Sequence, residues 1–164
     1  MKKFFLLIAA FLISANLLQA QLKVTVRCEP FFVDILNGKV NELKPSAGLE
    51  EIKNKFPCFT KADAESTSAP CGGGVYFADK DLSFFTGRDY VQIGEKFKGK
   101  LSMPLMGAAR NSLFKLLGNP QLKDTDWEAF QMAYGTLVLK YNKAGKVNKI
   151  IFSTMPSSAL QLCE

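Results

Sequence analysis

Apolar and polar residues alternate over much of the chain. Leu22, Val24 and Val26 alternate with Lys23, Thr25 and Arg27, the period of a half-buried strand running into Cys28. Glu29-Pro30 interrupts it. Phe31, Val33 and Ile35 then alternate with Phe32, Asp34 and Leu36 and stop at Asn37-Gly38, two residues that tolerate the positive φ of a tight hairpin turn. Residues 39–43 read as the short return strand. After Pro45 the period changes. Leu49, Ile52 and Phe56 fall on one face of a helix, with Ser46 as its N-cap and Pro57 as its stop. Glu50 and Glu51 lie in the first turn, where the helix dipole favours them. Residues 61–70 turn to Ala, Ser, Thr and charge, the composition of a mobile loop. Strand-like runs follow at 74–78, 82–85 and 90–93, separated by Asp79-Lys80-Asp81 and by Thr86-Gly87-Arg88-Asp89.

Residues 98–153 repeat this order. Ala109, Leu113, Leu116 and Leu117 have helical spacing. Gly118 suits a left-handed C-terminal cap, and Pro120 forbids continuation. Strands are expected at 127–134, 137–141 and 147–152, punctuated by Gly135-Thr136 and by turn residues Asn142 to Gly145. One last helical turn is expected after Pro156. Gly38 to Pro57 spans 19 positions, and so does Gly99 to Gly118. The pattern predicts an α+β chain of two tandem modules, 21–94 and 95–164. Each would be a short helix packed on an antiparallel sheet of three to four strands. A helix covers one face of its sheet, which leaves the other to pack on the second module or to bind something.

The remaining residues set the compartment. Met1-Lys2-Lys3 precedes an apolar run at 4–13 that fades toward Ala20, the layout of a secretory signal peptide over 1–20. The run is short for a span of about 20 apolar residues, so the mature form is expected to be periplasmic or secreted and not membrane-spanning. Loss of Lys2 and Lys3 takes the formal charge from +6 to +4, too mild a bias for a nucleic-acid partner. Four cysteines, Cys28, Cys58, Cys71 and Cys163, allow three pairings, and export favours disulfides. The expected pairs are Cys58–Cys71 and Cys28–Cys163, the alternative being that one pair stays as buried thiols. From helix stop to second strand is 25 positions in the first module and 19 in the second. A Cys58–Cys71 bridge would close that longer loop and contribute about 3 kcal/mol.

Chemistry is constrained mainly by what is missing. The sequence has no histidine, the commonest general base and metal ligand. The cysteines have no close pairs of the kind zinc sites use. Cys71-Gly72-Gly73-Gly74 has no neighbouring base or cation to form a thiolate, and lacks the Gly-Lys-Ser/Thr ending of a phosphate loop. Asp79 with Asp81, and Asp124 with Asp126, are close carboxylate pairs, but turns are the ordinary place for aspartate. No catalysis, cofactor or metal is expected. Aromatic residues are in surplus. Adjacent Phe84 and Phe85 cannot both enter one core, so some aromatics must leave the helix-covered face. Candidate binding residues are Phe84, Tyr90, Trp127, Phe130, Tyr134 and Tyr141, with Lys140 and Lys149 beside them. Tyrosine and tryptophan on a rigid sheet make good anchors for a protein partner. The alternative is a second core between the modules.

A helix ending in Leu117-Gly118-Asn119-Pro120, then a gap, then Tyr134-Gly135-Thr136-Leu137-Val138-Leu139-Lys140-Tyr141 and Asn142-Lys143-Ala144-Gly145-Lys146-Val147 resembles the module of the beta-lactamase inhibitory protein superfamily. The resemblance covers 99–152 and, more loosely, 38–93. It is similar also to the small outer-membrane assembly lipoproteins, although this chain lacks their anchoring cysteine. Tandem members hold an enzyme's loop on a concave sheet face. The resemblance therefore implies an exported protein-binding module. Together with export, two modules, surplus sheet aromatics and no histidine, the expected function is a non-catalytic protein that binds another protein, in its sharpest form an inhibitor or immunity protein against an envelope-targeting enzyme. The alternative is a cell-envelope scaffold or outer-membrane assembly factor.

Overall fold

The structure, a computed structural model, describes residues 26–163. The predicted leader and all but the end of the strand predicted from Leu22 lie outside these residues. The chain begins with β1 (Phe32–Asp34), β2 (Lys39–Val40) and helix α1 (Leu49–Lys55), followed by β3 (Lys61–Asp63), β4 (Gly74–Phe77), β5 (Leu82–Phe85) and β6 (Tyr90–Gly94). The second half contains β7 (Lys100–Leu101), helix α2 (Phe114–Leu117), β8 (Leu122–Lys123), β9 (Trp127–Met132), β10 (Gly135–Tyr141) and β11 (Val147–Ser153). The class is α+β, mostly sheet with two short helices.

The expected pair of separate sheets is corrected. Eight strands form one antiparallel sheet in the order β3-β4-β5-β6-β11-β10-β9-β8, and three more form a small sheet, β2-β1-β7. The last strands of the two halves, β6 and β11, meet at the centre with Val91 opposite Phe152 and Ile93 opposite Ile150. Their apolar residues share one face, so joining them extends a single hydrophobic surface. It also pairs two rows of backbone N–H and C=O groups that would otherwise be open edges. The small sheet crosses the halves as well, since β1 runs parallel to β7 with Val33 opposite Leu101.

One core lies on the helix-covered face and spans both halves. The alternation at 31–36 decides its first contributions: Phe31, Val33 and Ile35 are buried, and Phe32 and Leu36 are exposed. Helix α1 carries Glu50 and Glu51 in its first turn and Lys53 and Lys55 in its last, both favourable to its dipole. A helix of seven residues is marginal alone, and burial of Ile52 and Phe56 holds it to the sheet. Its N-cap is Gly48, without a side-chain cap, rather than Ser46. Phe56 meets Phe31 at 4.8 Å, Phe77 at 5.9 Å and Phe84 at 6.2 Å between ring centroids.

The predicted second helix is shorter than its spacing implies. A 3-10 turn at Arg110–Ser112 precedes the four residues of α2. One turn can aim only Leu113 and Leu117 inward, which leaves Phe114 and Leu116 exposed. Gly118 ends it with φ 76° and donates to the Phe114 carbonyl at 2.9 Å. The loop expected at 61–70 begins as the edge strand β3, paired with β4.

The hairpin turn expected at Asn37-Gly38 is present, with Gly38 at φ +61°. Its glycine has a second cause: a Cβ there would lie 2.5 Å from the Tyr134 ring. Gly38→Ala combines left-handed strain with overpacking. It is expected to cost about 2–4 kcal/mol, read as a lower urea midpoint at unchanged slope.

Candidate functional site

The sheet has a second face, and its residues follow from register. Lys61, Tyr76, Ser83, Gln92, Ile151 and Val138 are successive partners across β3 to β10, and Ala129 and Leu122 continue the row to the far edge. Phe85 and Tyr90 belong to a parallel row and stack at 4.5 Å. Phe84 and Phe85 thus point to opposite faces, as alternation requires.

The C-terminal segment 156–163 lies on this face. The turn expected after Pro156 is present, with Leu160 N–H donating to the Pro156 carbonyl at 3.1 Å. Leu160, Leu162 and Cys163 pack against the cluster of Phe85, Tyr90, Ala129, Val138 and Ile151. Cys163 N–H donates to the Tyr90 hydroxyl at 3.0 Å, and Arg88 Nη1 donates to the carbonyls of Gln161 and Leu162 at 3.3 and 3.2 Å. Burial beneath this segment pushes the Tyr90 phenol up.

The disulfides explain how the segment is held, and they correct the expected pairing. The bonds are Cys28–Cys58 and Cys71–Cys163. Cys28 lies just before β1 and Cys58 just past α1, so their Cα atoms come within 5.5 Å. Cys71 precedes β4 near the edge that the C-terminal segment reaches, 5.4 Å from the Cα of Cys163. The longer loop of the first half is therefore not closed on itself. Two disulfides fit an oxidising compartment. No helix among the described residues is long and apolar enough to cross a membrane.

Beyond the segment the second face is open. A groove of about 430 Å³ lies between the C-terminal residues and the β8 edge. Ala129, Thr136 and Val138 form its floor. Leu122 and half-buried Trp127 line one side, and Leu160 and Leu162 the other. Asp124, Asp126 and Lys140 add charge to the lining.

The eight candidate binding residues divide between the faces. Trp127, Lys140, Lys149 and Tyr90 belong to the second face, though Tyr90 is covered by the C-terminal segment. Phe84, Phe130 and Tyr141 lie in the helix-side core. At 0%, 2% and 6% exposure they offer a partner almost no surface. Tyr134 leaves the sheet altogether. It packs on the hairpin turn of Gly38 and meets Phe152 at 6.3 Å. Burial, then the charge of Asp34, push its phenol up. Leu122, Ala129, Val138, Leu160 and Leu162 were not singled out from sequence. Only the alternation of Leu160, Gln161, Leu162 before Cys163 hinted at a segment laid on a surface.

Tyr141 belongs to a structural network at the core's edge. Arg110 donates from Nε to Glu128 Oε1 at 2.9 Å, from Nη1 to the Thr125 carbonyl at 2.9 Å and from Nη2 to the Asp124 carbonyl at 2.8 Å. Tyr141 donates its hydroxyl to Glu128 Oε2 at 2.6 Å, and the guanidinium sits 4.9 Å from its ring centroid. Burial, then Glu128, raise the phenol's pKa. Arg110→Ala leaves the Glu128 carboxylate unpaired and is expected to cost about 3 kcal/mol. Arg110→Lys should recover less than half, because an ammonium cannot reproduce the planar fork. Denaturant titration of the three proteins measures both.

Three of the four paired carboxylates are engaged in turns. Lys80 bonds Asp79 at 2.7 Å and holds its carboxyl below the usual range. Asp81, at φ 55°, accepts Lys96 N–H at 2.8 Å. Asp124 accepts Thr125 N–H at 2.7 Å on its carboxylate, whereas Asp126 is tied to the sheet only through its backbone carbonyl, which accepts Tyr141 N–H at 2.7 Å. Among the described residues, no three or more His, Cys, Asp or Glu side chains stand together as metal ligands.

In comparisons with known proteins, no family, no curated protein and no solved structure matches the chain.

Proposed function

We propose that this is an exported, non-catalytic protein that binds another protein on the second face of its sheet. The observation that carries this is the groove itself. A half-buried tryptophan stands over a floor of small and β-branched residues, on an eight-stranded sheet. Tryptophan in such a setting dominates protein interfaces, and a rigid platform loses little entropy on binding. In its sharpest form the protein is an inhibitor or immunity protein against an envelope-targeting enzyme. Support for that form comes from the resemblance of residues 99–152 to the beta-lactamase inhibitory protein superfamily, and from two disulfides suited to life outside the cytoplasm.

The test is capture from envelope and culture extracts on immobilised protein beginning at Gln21. Saturable capture, competed by free protein, is expected. Trp127→Ala should weaken it about 30-fold, the equivalent of a hot spot of about 2 kcal/mol. The captured enzyme should lose activity when the protein is added back. An active, unaffected partner would favour the scaffold alternative, and no saturable protein ligand would remove the proposal.

A further inference from the structure

On the second face, one row of register partners reads Gly94, Lys149, Lys140, Trp127. Lys140 and Lys149 are direct partners on adjacent antiparallel strands, so two ammonium groups emerge side by side from the same face. Like charges directly opposite each other weaken a sheet. Among the described residues no carboxylate lies within the 4.0 Å salt-bridge distance of either. The Asp81 carboxylate fills the space beside Gly94 on one side of the pair, and Trp127 borders the other. Asp124 and Asp126 line the same groove as Lys140, beyond the 4.0 Å salt-bridge distance. Among the described residues the two ammonium groups therefore form no salt bridge within the fold, and each stays available to a carboxylate placed between them.

Its neighbour is apolar. The next row contains Leu122, Ala129, Val138 and Ile151, two residues along each strand from Trp127, Lys140 and Lys149. At about 3.4 Å per residue the rows lie roughly 7 Å apart, the spacing of side chains i and i+2 in an extended peptide. The row beyond is neutral, with Gln131, Thr136 and Ser153 as partners.

We infer that the groove recognises an extended partner segment carrying a carboxylate two residues from a large apolar side chain. The carboxylate bridges Lys140 and Lys149, and the apolar group fills the hollow over Ala129 between Trp127 and Leu160. This deepens the proposed function and rests on the second face being the partner surface.

The probe is the peptide Ser-Glu-Ser-Phe-Ser-Glu-Ser, blocked at both ends. It presents the spacing in either chain direction and places its second carboxylate over the neutral row. The protein has one tryptophan, Trp127, so its emission reports groove occupancy directly. A saturable change is expected, weakening as salt rises. The analogue with lysine in place of both glutamates should bind at least tenfold more weakly. So should the acidic peptide to the double variant Lys140→Gln, Lys149→Gln, whose melting point at low salt should rise once the like-charge pair is gone. Equal response to acidic and basic peptides, no change in the double variant, or no saturable response would overturn the inference. Capture of the natural partner separates the two levels. If Trp127→Ala abolishes capture and the lysine variant retains it, the partner surface stands and acidic recognition falls.

Discussion

Replacing Cys71 and Cys163 together by serine is expected to lower stability by about 4–5 kcal/mol and to uncover much of the second face. The bond joins positions 92 residues apart. In the chain-entropy model, releasing so long a loop in the unfolded state costs about 4.6 kcal/mol. Bridge and contacts are unequal partners in holding the C-terminal segment. Without the bridge it is held by Leu160 and Leu162, by the hydrogen bonds that Arg88 donates to its carbonyls and the one that Tyr90 accepts from its backbone, and by the Ser157 hydroxyl, which donates to Gln121 Oε1 at 2.9 Å. Those contacts must then offset the entropy of fixing the segment, at about 1–2 kcal/mol per residue of backbone. Three readings are expected. The melting temperature falls by on the order of 10 °C. Backbone exchange of residues 156–163 becomes fast while β10 and β11 stay protected. Dye binding to exposed apolar surface should rise, since Phe85, Tyr90 and Ile151 lose their cover. Segment exchange no faster than in the parent would show that packing, not the bond, holds it.

The second large effect is expected at Phe56. Its side chain is fully buried and sits among the rings of Phe31, Phe77 and Phe84. It also terminates α1, with its N–H on the Ile52 carbonyl at 2.8 Å, one residue before Pro57 and two before Cys58. Phe56→Ala therefore removes a large core group and one of the two buried side chains that hold the helix to the sheet. Truncating a buried phenylalanine costs about 3–5 kcal/mol, and loss of the edge-to-face contact with Phe77 and of the tilted contacts with Phe31 and Phe84 places this site in the upper half of that range. Against a typical total of about 5–15 kcal/mol, a measurable unfolded fraction in buffer is expected. Phe56→Leu should cost much less, because it keeps most of the volume. Urea unfolding with unchanged slope separates loss of packing from loss of compactness.

The strands were legible because their periods were clean. The alternation at 31–36 assigns each residue to core or solvent correctly, and 82–85 has the observed bounds. Short edge strands left no such trace. Lys61, Ala62 and Asp63 are few and mostly polar, and pairing with β4 makes them a strand. Thr60 helps, its N–H and hydroxyl both donating to the Tyr76 carbonyl at 2.8 Å. Parity is local, but the choice of face is global. Nothing near Phe84 and Phe85 says which one meets α1, so Phe84, Phe130 and Tyr141 were placed on a binding face while they fill the core. The cysteine pairing failed for a related reason. The Cys58–Cys71 expectation uses loop length within one half, whereas Cys71 is bonded across the halves to a C-terminal segment whose three-residue alternation is too short to say where it docks. The continuous sheet likewise depends on β6 meeting β11, a contact between runs about 60 residues apart.

Which face engages a partner can be measured directly with a photoreactive side chain. Placed at Leu122, on the groove, it should crosslink one protein in envelope or culture extract, and free protein should suppress the product. Placed at Phe32 or Phe114, exposed but away from the second face, it should give none. Crosslinks from Phe32 or Phe114, with none from Leu122, would contradict the account.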